Sequence, residues 1–126
     1  ETLVELRVPV APPNTGVAFE EATRRHGDFA MVGAAVTVRM ESGKIAEARI
    51  VLTGVADTPL RRTDAEHALE GADPSREAID DAATAAARDL TPHSDLHGTG
   101  AYRKQLARVL VRRALETATR RAGSAA

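Results

Sequence analysis

Hydrophobic and polar positions along this chain follow two rhythms, the two-residue alternation of strands and the wider spacing of helices. Near the start, "TLVELRVPV" alternates: Val4, Leu6 and Val8 share one face and Glu5 and Arg7 the other, which predicts a strand. Pro9, Pro12 and Pro13 then forbid regular pairing and make "VPVAPPNTG" a connector. The stretch "VAFEEATRR" (17–25) predicts a short helix with Phe19, Ala22 and Ala18 turned inward, stopped by Gly27. A β-hairpin comes next. In "AMVGAAVTVRM", Val32, Ala34, Val36, Val38 and Met40 line one face, and "ESGK" is a turn in which Gly43 takes positive φ. In "IAEARIVLTGV", Ala46, Ala48, Ile50 and Leu52 match that face while Glu47, Arg49 and Thr53 lie opposite. One wall of the sheet is expected to meet water and the other to be covered by helices.

Three helices are expected after the strands. "TDAE" (63–66) reads as a capping box, the Thr63 hydroxyl taking an orphan N–H and Glu66 reaching back; this helix is expected to end at Gly71. "DPSREAIDDAATAAARDL" begins with Asp73 as cap and Pro74 at the first helical position. Its apolar stripe is Ile79, Ala82, Ala83, Ala86 and Leu90, and Thr91 and Pro92 end it. "PHSDLHGTG" is a loop. A last helix over about 101–121 presents Leu106, Val109, Leu110, Ala114 and Ala118 to the core, and "AGSAA" reads as a frayed tail. Strands followed by helices predict an α+β fold, a small antiparallel sheet of three to four strands on a layer of about three helices. No internal repeat or dividing linker is visible, so 1–126 reads as one domain.

Composition narrows the chemistry. The 17 Lys and Arg nearly balance the 18 Asp and Glu, which gives no general argument for nucleic acid or an anionic membrane. With no cysteine in the chain, thiolate metal sites, iron–sulfur ligation and Cys nucleophiles are excluded within it. No apolar run approaches a membrane span, and a cytoplasmic protein is the expectation. Aromatics are scarce: one Tyr, two Phe and no Trp. A core of Ala, Val and Leu buries less area than one with large rings. Together with the mid-strand pattern from Glu1, this suggests a piece of something larger, supported by neighbours.

Chemical motifs are few. His93 and His97 flank Asp95, but Pro92 and Gly98 bracket them and no third ligand is evident. Asp95 bonding to nearby backbone N–H groups accounts for the pattern better than a metal or a hydrolytic site. The last helix carries Arg103, Lys104, Arg108, Arg112, Arg113, Arg120 and Arg121 against Glu116. Without interleaved aromatics it is read as a solvated face or a dock for an acidic partner, not as a nucleic-acid surface. No glycine-rich phosphate cradle and no nucleophile elbow occurs, so the chain by itself reads as non-catalytic.

Three stretches carry a resemblance: "FEEATRRHGDFAMVGAAVTV", "GKIAEARIVLTGVADTPLRRTDAEHALEG" and "PHSDLHGTGAYRKQLARVLVRRAL". In combination they resemble the C-terminal domain of the FAD-binding medium subunit of molybdenum hydroxylases, the carbon monoxide dehydrogenase, xanthine dehydrogenase and aldehyde oxidase group. Most specific are the Arg-x-Gly-Asp-Phe-Ala run from Arg25 to Ala30 and the Ser94 to Arg103 stretch. The family often has Ser-Ala-Glu-Tyr-Arg where this chain has Thr99-Gly100-Ala101-Tyr102-Arg103, so an acidic residue is missing there.

The resemblance implies an electron-transfer role. FAD in the medium subunit receives electrons from 2Fe–2S clusters on a small iron–sulfur subunit, fed in turn by a molybdopterin centre on a large subunit. The loops that hold the FAD pyrophosphate belong to an N-terminal FAD domain, to which residues 1–16 would be the connector. The resemblance also implies a scaffold packed on that domain, with the 24–28 loop facing the flavin. Arg25 is the first choice for a cofactor-facing residue and Arg24 the alternate, with Gly27 allowing close backbone approach and Asp28 beside it. In the plainer reading Asp28 pairs locally and the arginines are solvated. A competing function from another class is an autonomous binding or dimerisation module using the sheet or the basic helix.

Overall fold

The computed structural model describes residues 1–25 and 27–124. Strands β1 (Thr15–Ala22), β2 (Val32–Glu41), β3 (Lys44–Thr53) and β4 (Leu60–Arg61) are followed by helices α1 (Thr63–Leu69), α2 (Arg76–Ala87) and α3 (Gly100–Ser124). The strands form one antiparallel meander in the order β1-β2-β3-β4. The fold is therefore the expected α+β arrangement, an open sheet with its helices on one face.

The β2–β3 hairpin shows why. Glu41 pairs with Lys44, leaving Ser42 and Gly43 as a two-residue turn with φ of 50° and 78°. Two left-handed residues in succession give a turn whose twist matches that of the flanking strands. Val32, Ala34, Val36 and Val38 are buried on the helix side as the alternation predicts. On β3, Ile45 is buried and Ala46 is not, because the register shifts between Arg39 and Met40 and leaves Ala46 as an extra residue. This β-bulge returns Ile45 to the core face.

Residues 17–25 do not form the expected helix. They are largely β1, paired with β2 from Thr15↔Arg39 to Ala22↔Val32. Helix-forming glutamates are overridden by the pairing, a common tertiary override of propensity. Gly16 and Ala18 face α3, whereas Phe19, expected inward, is 59% exposed on the open side. The inward positions must be small. A Cβ on Gly16 would lie 1.9 Å from the Ala118 carbonyl oxygen, so only glycine lets α3 come this close. The expected strand at residues 2–10 is also absent; this segment has no regular structure and is exposed.

The caps differ as well. Thr63 makes no capping bond, and Arg62 occupies the N-cap position of α1 without a side-chain bond. Helix α1 stops at Leu69, and Gly71, at φ 75°, donates its N–H to the Ile45 carbonyl at 2.7 Å. For α2 the cap is Ser75, not Asp73: its Oγ accepts the Ala78 N–H at 3.1 Å. Helix α2 ends at Ala87, four residues before Thr91. Helix α3 is capped by Thr99, whose Oγ1 accepts the Tyr102 N–H, and stays helical to Ser124; the rest of the tail lies outside the described residues.

Helix α3 lies across β1 and β2, α1 covers β3, and α2 closes the layer against both helices. The buried stripe of α3 is Arg103, Ala107, Leu110, Val111, Ala114, Leu115, Ala118 and Ala122. Leu106 and Val109, expected inward, are only half-buried, so the helix is rotated from the expected phase. Each fully buried Ile or Leu in this core, such as Ile50, Leu52 and Leu115, contributes roughly 2 kcal/mol of transfer free energy.

Candidate functional site

Three connections meet at one end of the sheet. Loop 23–31 leaves β1 and enters β2, loop 54–59 leaves β3, and segment 91–99 leads into α3. Antiparallel pairing puts the first two side by side, since Ala22 pairs with Val32 and Gly33 with Thr53. Their contact is close. Gly54 has φ 74°, and a Cβ there would lie 2.2 Å from the Met31 carbonyl oxygen.

Arg103, in the first turn of α3, ties all three together. Its Nη1 donates to the carbonyls of Met31 at 2.5 Å and Gly54 at 3.3 Å, and its Nη2 donates to Asp95 Oδ2 at 2.6 Å. The residue is buried and is not part of the solvated basic face expected for this helix. Asp95 completes the connection, its Oδ1 accepting the backbone N–H groups of His97 at 2.8 Å and Gly98 at 3.1 Å. Asp95 and Gly98 also exchange backbone bonds, which closes a tight turn over residues 95–98. The Arg103 guanidinium, followed by these N–H groups, holds the Asp95 carboxyl below the usual carboxylate range. Asp95 thus bonds local backbone as expected, and gains an ion pair that the sequence did not reveal.

The residues singled out for cofactor contact, Arg24, Arg25, Gly27 and Asp28, are all exposed and lie between β1 and β2. Arg24 Nη1 lies 2.6 Å from His97 Nδ1. A guanidinium only donates, so a hydrogen bond at this contact takes Nδ1 as its acceptor. Arg25 is exposed, and its carbonyl accepts the Asp28 N–H at 3.1 Å, closing a turn in which Gly27 takes φ 89°. Nothing lies within 4 Å of a Cβ built on Gly27, so its backbone is open to approach. Phe29 and Leu96 stand fully exposed on the same end, and neither was singled out. His93 and His97 diverge: His93 Nε2 lies 3.9 Å from Asp57 Oδ1, while His97 faces Arg24. Among the described residues no group of three or more His, Asp or Glu could hold a metal ion, and no helix is long and apolar enough to cross a membrane.

A second feature lies on the open face of the sheet. A groove of about 700 Å³ runs between residues 8–12 and the strands, lined by Val8, Val10, Thr37, Arg39 and Arg49 among others. Val17 and Phe19 are more than half exposed on this face.

Comparison with known proteins agrees with this architecture. The profile of the CO dehydrogenase flavoprotein C-terminal domain matches residues 17–118. The chain is 42% identical over 123 residues to the 6-hydroxypseudooxynicotine dehydrogenase complex subunit alpha of Paenarthrobacter nicotinovorans, covering 97% of this chain and 42% of that protein. It is 41% identical over 122 residues to the carbon monoxide dehydrogenase medium chain of Afipia carboxidovorans, covering 97% and 42% respectively. The solved carbon monoxide dehydrogenase of Hydrogenophaga pseudoflava superposes with a TM-score of 0.87 at 41% identity, covering 90% of this chain and 40% of that one. Quinoline 2-oxidoreductase from Pseudomonas putida 86 superposes with a TM-score of 0.83 at 33% identity, covering 87% and 39%. The chain therefore belongs to the CO dehydrogenase flavoprotein C-terminal domain family. It spans about two-fifths of the length of the curated relatives it matches.

Proposed function

We propose that this chain is the C-terminal scaffold domain of the FAD-binding subunit of a molybdenum hydroxylase-type oxidoreductase, and that it supports electron transfer from iron–sulfur clusters to FAD. The observation that carries this reading is the grouping of Arg24, Arg25 and Gly27 on one exposed loop, at the buttressed end of a flavoprotein-family domain. The rest of the assembly would be an N-terminal FAD domain, a small subunit with 2Fe–2S clusters and a large molybdopterin subunit, in the cytoplasm. Of the residues read as a connector (1–16), Thr15 and Gly16 belong to β1, and residues 1–14 would lead to the FAD domain. Their exposed Val4, Leu6, Val8 and Val10, 76–94% accessible here, suit burial against such a neighbour.

The residues present fit a flavin edge. Exposed guanidinium groups suit an electron-rich ring system, the open backbone at Gly27 permits close approach, and Phe29 offers an apolar surface. FAD, when bound, supplies a carrier that takes up and passes on electrons. This chain supplies positive charge beside it, which favours the reduced, more negative form. Arg25 is the first candidate for that role and Arg24, already held by His97, the second.

The test is expression of the chain together with the coding sequence that precedes it, followed by flavin absorbance and midpoint potential. The expected product is yellow, and Arg25→Ala lowers the flavin potential by about 30 mV, equivalent to about 1.4 kcal/mol over two electrons. A product that stays colourless and ignores added FAD rejects the reading. A second reading, an autonomous dimerisation module, draws on the exposed Val17 and Phe19 of the open sheet face. It requires self-association in sedimentation that Phe19→Lys abolishes.

A further inference from the structure

We infer that Arg103 is a positioning residue for loop 23–31: by gripping that loop and the 95–98 turn at once, it sets where the Arg24 guanidinium points. The consequence for the flavin rests on the function proposed above; the grip itself does not.

The placement of Arg103 motivates the inference. A cation in the first turn of a helix opposes the positive end of the helix dipole and is locally unfavourable. Helix α3 carries no acidic residue in that turn to offset it. The compensation is tertiary. One planar fork serves the Met31 carbonyl, the Gly54 carbonyl and the Asp95 carboxylate, partners 72, 49 and 8 residues away in sequence. An ammonium group offers no such fork.

The grip reaches Arg24 by two arms. The Met31 carbonyl anchors the far end of loop 23–31, while the Met31 N–H bonds the Ala22 carbonyl at 2.8 Å and closes the loop's base. Asp95 anchors the second arm: it accepts from the His97 and Gly98 N–H groups, and so fixes the turn that presents His97 Nδ1 to Arg24. The two loops touch each other through the Arg24–His97 contact, and both are anchored on one guanidinium behind it.

Arg103→Lys and Asp95→Asn separate this from general structural support. Both are made in the protein expressed with its preceding coding sequence. In either variant, exchange protection of the Met31, Asp28 and Gly98 amides is expected to fall on the order of tenfold while the β2–β3 ladder is unchanged. The His97 ring nitrogen resonances are expected to shift as Nδ1 loses its contact with Arg24. The flavin arm is a double-mutant comparison: Arg103→Lys moves the flavin potential when Arg24 is present and not in an Arg24→Ala background. Unchanged protection of both loops in both variants, or a loss spread evenly over the sheet, overturns the inference. Loosened loops with a potential insensitive to Arg24→Ala and Arg25→Ala support the grip and reject the flavin-facing role of the loop.

Discussion

Two buried charges, Glu66 and Arg103, hold different parts of the domain, and they do so in different ways. Glu66 is 2% exposed and Arg103 9%. Each takes one ionic partner and at least one backbone group. Glu66 accepts from Arg61 at 2.8 Å and from the Ile50 N–H at 2.8 Å. Its partners lie 5 and 16 residues away, so it pins α1 to the neighbouring strands β3 and β4. Arg103 instead binds carbonyls 49 and 72 residues away, at a loop end where exposed side chains gather. One charge completes the sheet–helix layer; the other adjusts loops that the layer merely presents. Buried charge by itself is weak evidence about either stability or function, and the partners decide which it serves.

The largest expected effect follows from this difference. Glu66→Ala leaves the Ile50 N–H buried without an acceptor and Arg61 without its carboxylate, and should cost about 3 kcal/mol. Native-state hydrogen exchange reads stability region by region, and the loss should appear across the α1 and β3 amides. Arg103→Met should cost the core less, because the carbonyls it releases border an exposed loop end where water replaces it. A loss in the Arg103 variant equal to that in Glu66→Ala, spread over the whole sheet, would erase the distinction.

Acid sharpens the comparison. Burial pushes the Glu66 carboxyl up, but the hydrogen bonds from Arg61 and the Ile50 N–H outweigh it and leave the pKa below its ordinary value. The Asp95 carboxyl is lowered chiefly by Arg103. A carboxyl with a depressed folded pKa stabilises fully above its unfolded value of about 4, and that stabilisation is lost as pH falls through the folded pKa. Below about pH 4, wild-type protein should therefore loosen in both regions. Glu66→Gln should flatten the acid dependence at α1 only, and Asp95→Asn at the 95–98 turn only. Exchange rates followed against pH check this, and a single acid transition shared by both regions in every variant would contradict it.

The partners of these charges also mark how far the sequence could be followed. The Ser42–Gly43 turn and the alternation through Val32 to Val38 act between near neighbours, and both were legible. So was the grouping of Arg24, Arg25, Gly27 and Asp28, because one loop of contiguous residues must bring them together. Strand β1 is hidden from a local reading because Glu20, Glu21 and Ala22 favour a helix, and only pairing with β2 reverses that. The facing of α3 is not legible locally because its alanines tolerate several rotations; the choice is made by Gly16, which admits the helix backbone at Ala118. The grip of Arg103 is only half legible: Asp95 and Arg103 share the motif from Ser94 to Arg103, but the Met31 and Gly54 carbonyls reach the guanidinium only through the sheet.

The smallest expected effect bears on what Glu66 is for. "TDAE" has the spacing of a capping box, in which Thr63 and Glu66 would satisfy each other's backbone N–H groups. In the structure Thr63 makes no cap bond and the Glu66 carboxylate is spent on Ile50 and Arg61. Thr63→Ala should accordingly change the stability of α1 by no more than about 0.5 kcal/mol. Ser75→Ala, which removes the Oγ that accepts the Ala78 N–H, should cost α2 about 1 kcal/mol. The pair is an internal control, since both remove one hydroxyl near a helix start. Should Thr63→Ala cost as much as Ser75→Ala, Thr63 would be a working cap. Glu66 would then share in closing α1, and its contrast with Arg103 would narrow to the reach of their partners.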